Sequence, residues 1–316
     1  MSDVVTNLAE ETRAAHKKFE ELVLPHKQSL WRYCRYLTGS PWEGEDLFQE
    51  TMLKAFTTMT QIWHPIAYQS YLFRIATHTR IDFLRKKRVQ LDAYAEPDAI
   101  PADPVTTSDP LETIEALEVL VQHLPPRQIA VFLLMEAFGF QAAEVAGMVR
   151  MTEGSVYAAL HRARVSVRQL RGRESEPAKP AKKDEETVNP LLMELLEALR
   201  EGEAVPLLHM LSDSTHNDAQ PGFQEYSKKE MLEGSLRHRG PLLHVSLEML
   251  WGRQVFVVLA ETPEGLALHD IHEYEFDRGQ IVYHRGYYFC KQFLSAASDE
   301  LGIPLHLQKH PHMDWR

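Results

Sequence analysis

The sequence predicts a multidomain chain: two all-α domains followed by an α+β domain. Three observations predict it. Apolar residues recur at helical spacing through residues 10–91 and again through 111–172. Two segments without that periodicity divide the chain. One is 92–110, with four prolines; the other is 173–189, RESEPAKPAKKDEETVN, polar and charged. Past Asn189 the runs His244–Leu250, Gln254–Glu261, Ala267–Phe276 and Ile281–Phe289 read as strands. Pro263-Glu264-Gly265 and Asp277-Arg278-Gly279 stand between them at hairpin spacing. The third domain is therefore placed at 190–303, with a tail at 304–316. A chain of 316 residues is long enough for several cores.

In the first domain Phe19, Leu22, Val23, Leu30, Tyr33, Cys34 and Leu37 form an apolar stripe, which Thr38-Gly39-Ser40-Pro41 ends. A second helix is expected from Trp42 to Met59. His64-Pro65 breaks the chain, and a third helix covers Gln69–Arg88. In the second domain Leu124-Pro125-Pro126 precedes a helix over Arg127–Phe138. Gly139 and Phe140 turn the chain into two shorter helices, Gln141–Val149 and Glu153–Leu170. Helices at Pro190–Glu201, Ser227–Arg237 and Lys291–Leu301 accompany the strands of the third domain.

Composition excludes several classes. No apolar run approaches the roughly 20 residues of a membrane helix, and the acidic, amphipathic N-terminus is no secretory signal. Two cysteines far apart, Cys34 and Cys290, make no disulfide framework and suit buried thiols in a cytoplasmic protein. The net charge of −11 argues against nucleic acid until its distribution is read. Residues 71–88 carry six basic groups and one acid; residues 141–173 carry six and two. Residues 190–316 carry nineteen acids against eleven basic groups. Local density of positive charge, not the total, decides phosphate binding.

The segment QAAEVAGMVRMTEGSVYAALHRARVSVRQL (141–170) has a short helix, a tight turn and a longer helix, the helix-turn-helix pattern. Val145, Ala146 and Val149 would pack on Val156, Leu160 and Ala163. Thr152 is a good N-cap for the second helix. That leaves Ser155, Ala158, His161 and Arg162 facing base edges, with Arg164, Arg168 and Arg171 placed for phosphates. An ordinary helical hairpin would carry the same apolar pattern. The segment YLFRIATHTRIDFLRKKR (71–88) joins a basic face to Trp63, Tyr68, Tyr71 and Phe73, a combination that suits opened single strands. Aromatics at helical spacing also serve as core.

EDLFQETMLKAF (45–56), followed by YLFRIATHTRIDFLRKKR, resembles the second region of bacterial sigma factors. LPPRQIAVFLLMEAFGFQAAEVAGMVRMTEGSVYAALHRARVSVRQL resembles their fourth region. The short spacer is similar to the extracytoplasmic-function (ECF) group, and the likeness covers residues 15–171. It implies a cytoplasmic factor with no enzyme activity, no cofactor and no metal, whose partners are core RNA polymerase and promoter DNA. It implies that Asp46, Leu47, Gln49 and Glu50 dock on the polymerase largest subunit. Residues 61–70 would capture a flipped base of the −10 element. Trp63, Tyr68, Tyr71, Arg80, Arg85, Lys86 and Arg88 would line the melted strand. Residues 153–168 would read the −35 element through Ser155, Ala158, His161, Arg162, Arg164 and Arg168. Two positions depart from the family pattern. Arg150 stands where the turn usually has Gly, and Val156-Tyr157-Ala158-Ala159 lacks the usual Lys and Ser.

Residues 190–303 are similar to the SnoaL-like, cone-shaped fold in element order and in YYFCKQFLSAASDELGIP. The likeness implies a built-in regulator that contacts the sigma core within the chain; it leaves any small-molecule ligand of the pocket unknown. The cluster His269-Asp270-Ile271-His272-Glu273 is the one candidate for chemistry. On a strand His269 and Glu273 share one face, Asp270 and His272 the other, which disfavours a metal site built from both histidines. A general-base pair is conceivable there, with a polar pocket lining the plainer reading. His306, His310 and His312 are expected in a docking or frayed tail.

Overall fold

The structure, a computed structural model, describes residues 2–59, 67–91, 124–173, 189–201, 204–219, 223–236 and 244–308. The expectations for the two linkers, for Trp63 and for the end of the tail lie outside the described residues. The chain forms two compact units, Met1–Pro180 and Ala181–Arg316. The two predicted helical domains thus belong to one unit.

Unit one opens with α1 (Ser2–Val23), a 3-10 turn at Leu24–His26, and α2 (Lys27–Thr38). Gly39 takes a left-handed φ of 73° and ends α2, as Thr38-Gly39-Ser40-Pro41 predicted. The helix α3 (Pro41–Met59) crosses α2 closely at Gly44, where a Cβ would meet the Arg35 backbone at 2.6 Å. The helix α4 (Tyr68–Leu91) buries Leu72, Phe73 and Ala76 against them. Inside this bundle the Trp31 indole donates to the buried Glu45 carboxylate at 2.6 Å. Burial, with Glu45 adding to it, pushes the Cys34 thiol up, so it stays protonated and inert.

The second helical segment begins with α5 (Pro126–Phe132), whose last turn widens to a π-helix at Leu133–Ala137. Gly139, at φ 70°, then turns the chain. The helices α6 (Ala142–Val149) and α7 (Glu153–Arg173) follow as expected. Val145, Met148 and Val149 of α6 and Val156, Leu160 and Ala163 of α7 are all buried. Thr152 caps α7, accepting from the Ser155 N–H at 3.2 Å. The Glu144 side chain reaches back to the Gln141 N–H at 3.0 Å and caps α6.

Unit two contains α8 (Pro190–Glu201), α9 (Ala204–Met210), β1 (Leu211–Ala219), β2 (Phe223–Glu225), α10 (Lys228–Glu233), β3 (Val245–Leu250), β4 (Arg253–Thr262), β5 (Gly265–Asp277), β6 (Gln280–Gly286) and α11 (Lys291–Leu301). The strands form one sheet in the order β2-β1-β6-β5-β4-β3, with β1–β6 parallel and the other pairs antiparallel. Four strands match the sequence expectation; β1 and β2 do not appear in it. LSDSTHNDA alternates poorly and has little β propensity, so its pairing with β6 makes it a strand. Leu192, Leu195 and Leu196 of α8 and Met231 of α10 pack with Phe256, Val258 and Ile281 of the sheet. This unit is α+β, as predicted.

Candidate polymerase and nucleic-acid interface

The helix α3 separates its residues cleanly. Asp46, Glu50 and Leu53 lie on its solvent face, and Glu50 pairs with Lys54 at 2.6 Å. Gln49 is half-buried and its amide donates to Glu45. Leu47 is buried in the bundle, so it is core and not part of an exposed docking face, correcting the sequence expectation. The reason is helical phase: Leu47 falls on the same side as Phe48 and Thr51, both buried. Leu53, 62% exposed, takes its place on the stripe running from Asp46 through Glu50. The i, i+4, i+7 spacing could have revealed it.

On α4 the aromatic-basic face divides in two. The Tyr71 ring is buried, and its hydroxyl meets the Thr58 hydroxyl at 2.6 Å and donates to the Ala55 carbonyl at 3.2 Å. The Arg80 guanidinium pairs with Glu43 at 2.9 Å and is largely buried, tying α4 to α3. Both are structural in this conformation, whereas the sequence placed them along a melted strand. Tyr68 is half-buried, and Arg85 and Lys86 are exposed, with Arg85 beside Asp82 at 3.2 Å. The Arg88 side chain lies outside the described residues. Phe83, 52% exposed, is an aromatic on the solvent side of this helix that the sequence reading passed over. Its place within ATHTRIDFLRKKR, among basic residues, was the available signal.

The helix α7 presents Ser155, Ala158, His161 and Arg162 to solvent together, on a helix whose opposite side is sealed by α5 and α6. Tyr157, 58% exposed, joins them. Arg164 is held by Glu136, its Nε donating at 3.1 Å, and Arg168 is half-buried. The turn before α7 places Arg150 at φ 54°, the left-handed conformation that glycine usually supplies.

The rival site in unit two is equally well defined. Asp270 pairs with Val258 and His272 with Phe256, so both lie on the face covered by the helices. The His272 Nε2–Asp270 Oδ2 distance is 2.8 Å. The other Asp270 oxygen accepts from the Ile271 and Tyr287 N–H groups at 2.8 and 2.9 Å. With Nε2–H donated to the carboxylate, Nδ1 of His272 faces the Tyr274 hydroxyl at 3.3 Å. Both side chains are sealed from solvent. A base in this position has a fixed tautomer but no open approach for a substrate. His269 sits at a bulge between the Val258 and Leu259 pairings and faces away, toward Tyr288. Among the described residues no group of three or more His, Cys, Asp or Glu is arranged to hold a metal ion, and no helix is long and apolar enough to cross a membrane.

Residues 22–89 match the family Sigma-70 region 2, and residues 114–167 match Sigma-70, region 4. The ECF RNA polymerase sigma factor SigE of Mycolicibacterium smegmatis is 29% identical over 175 residues, covering 54% of this chain and 68% of that protein. SigG of Mycobacterium tuberculosis is 30% identical over 190 residues, covering 51% of each, so the match spans about half of both proteins. The crystal structure of the Mycobacterium tuberculosis ECF sigma factor SigJ overlays 86% of this chain and 95% of its own, at 18% identity and a TM-score of 0.31, too loose a superposition to argue from. Two sigma-70 regions in tandem, with ECF relatives matching across both, make the amino-terminal half of this chain similar to sigma factors of the extracytoplasmic-function type.

Proposed function

We propose that this chain joins core RNA polymerase, recognises promoter −35 and −10 elements, and starts transcription, with no covalent chemistry of its own. The observation that carries the reading is the exposed face Ser155, Tyr157, Ala158, His161 and Arg162 on a capped second helix of a helix-turn-helix. Duplex recognition asks for such a helix in the major groove, with its first turns at the base edges. The solvent stripe of Asp46, Glu50 and Leu53 on α3 supports polymerase docking, and Phe83, Arg85 and Lys86 on α4 support contact with an opened strand. Run-off transcription with core polymerase, on promoters selected from a random library, tests it. Promoter-specific transcripts are expected. Duplex binding without transcripts would make the chain a stand-alone helix-turn-helix regulator.

The second unit, on this reading, regulates the first in cis. Its charge supports this: residues 190–316 are strongly acidic and are tethered by about 18 residues to a basic module. A short connection raises the effective concentration of one unit at the other, so even a weak intramolecular contact would be populated. Deleting residues 173–316 should change promoter-specific output; unchanged output, with the two units tumbling independently, would reject regulation.

A further inference from the structure

Unit two holds a second pair of histidines, apart from the sealed Asp270–His272 dyad. Along β5, pairing with β6 begins at His272. Beside the first half of β5 the chain returns from α11, reversed by left-handed Gly302. There the Leu268 N–H donates to the Pro304 carbonyl at 2.6 Å and the His306 N–H to the Leu268 carbonyl at 2.8 Å. These bonds make a parallel bridge between Leu268 and Leu305. One residue further on, His269 and His306 stand side by side, ring centres 6.2 Å apart and both half-buried.

This pairing fixes the chemistry of His269. Its Nδ1 lies 3.3 Å from the His306 carbonyl oxygen, which can only accept. Nδ1 therefore carries the proton, and the neutral ring has its lone pair on Nε2. A ring N–H given to a backbone carbonyl is the usual outer support of a metal-ligating imidazole, because it sets the tautomer and orients the ring. Tyr288 packs against the same ring at 5.1 Å.

Metal–nitrogen bonds of about 2.0–2.1 Å hold two imidazole centres about 5–6 Å apart, so a small side-chain rotation brings this pair onto one ion. Stable sites of this kind use three or four protein ligands. The sequence continues with His310 and His312, four and six residues beyond His306. Four residues of chain span up to ~14 Å, which is ample for an imidazole to return to an ion held at His306.

We propose that His269 and His306 anchor a binding site for a divalent ion of the zinc class, and that His310 and His312 supply its remaining ligands. An all-imidazole set suits zinc, copper or nickel and not magnesium or calcium, which take oxygen donors. The site lies in unit two, outside the residues that match the sigma regions, and does not depend on what those regions do. Occupied, it fastens the end of the chain to β5, adding to the main-chain bonds that dock Pro304 and His306.

The test is calorimetric titration of the full, tag-free chain with Zn2+ after treatment with a chelator. One ion per chain is expected, at micromolar affinity or tighter and without competition from Mg2+. His269→Asn, His306→Asn and the double variant His310→Asn with His312→Asn should each weaken binding by more than about tenfold. Zinc should also raise the thermal unfolding midpoint of the parent chain and leave the three variants where they are, since an ion bound by the folded chain stabilises it. The double variant alters no described side chain, so its affinity decides the matter should a strand substitution disturb folding. Parent-strength binding in any of the three variants overturns the site. So does weak uptake of several ions that no variant changes, the mark of scattered surface histidines.

Discussion

Two residues carry more than their own side chains show. Arg150 holds a left-handed turn at φ 54° without glycine's freedom. Replacing it by Gly should raise unfolding stability by about 1 kcal/mol, the usual cost of that conformation for an L-residue, read by urea titration. His78 is the second. Burial, then the positive charges of Arg150 and Arg74, lower its pKa from the ordinary 6.5, against the opposing pull of Asp82 and a bond to the Met148 backbone. The folded unit therefore binds fewer protons than a chain in which His78 meets water. The stability His78 contributes by staying neutral is fully present above about pH 6.5 and weakens as pH falls through that value. The urea midpoint of unit one should accordingly fall between about pH 7.5 and about pH 5.5, and His78→Gln should reduce that dependence. The same pH dependence in the parent chain and in His78→Gln would show that His78 does not contribute.

At the scale of elements, α3 and α7 each turn one face to the core and leave the other exposed. Asp46→Arg with Glu50→Arg inverts the charge on the α3 stripe at two exposed positions. Core-polymerase affinity should drop while duplex binding stays at parent level; equal affinity in a pull-down rejects docking through this face. On α7 the roles differ by position. Changing His161 or Arg162 should alter base preference, by about 1–3 kcal/mol at one position. Changing Arg168 to Ala should weaken all duplexes alike and flatten the salt dependence, since a phosphate contact releases counterions. Arg164 is already engaged by Glu136, so its loss should also cost stability. Binding selections across a salt series separate these outcomes.

At the scale of the whole molecule, two folding units carry different charge and different work. Unit one concentrates the basic segments, and unit two is acidic and buries several polar residues. Asn217, Glu225, Asp270, His272 and His284 are buried there yet bonded to one another: Asn217 donates to Glu225 at 2.7 Å, and His284 meets the Asn217 carbonyl at 2.5 Å. Such a network is costly to break, because a partner left behind is buried without compensation. Asp270→Ala should destabilise unit two by about 3 kcal/mol, since it strands His272 and two backbone N–H groups. Thermal unfolding of the full chain, with unit two followed by Trp251 fluorescence, measures this. An unchanged transition would show the network to be slack.

The sequence by itself determined what depends on local pattern. Helical periodicity marked α2, α3, α6, α7, α8 and α11, and Gly39 and Thr152 announced a stop and a start because capping acts within a few residues. The basic segments and the exposed face of Ser155, Ala158, His161 and Arg162 were legible for the same reason: a helix fixes which side chains share a side. Only the tertiary structure decided what depends on a distant partner. Tyr71 and Arg80 turned inward because α2, α3 and α4 pack where no local rule can say. LSDSTHNDA became a strand because β6 was there to pair with it. Phe138 read as the end of a helix and Phe140 as part of a turn; only the fold set them against Tyr33 and Phe73, over sixty residues away, because burial is a property of neighbours in space, and neighbours in space are set by the fold.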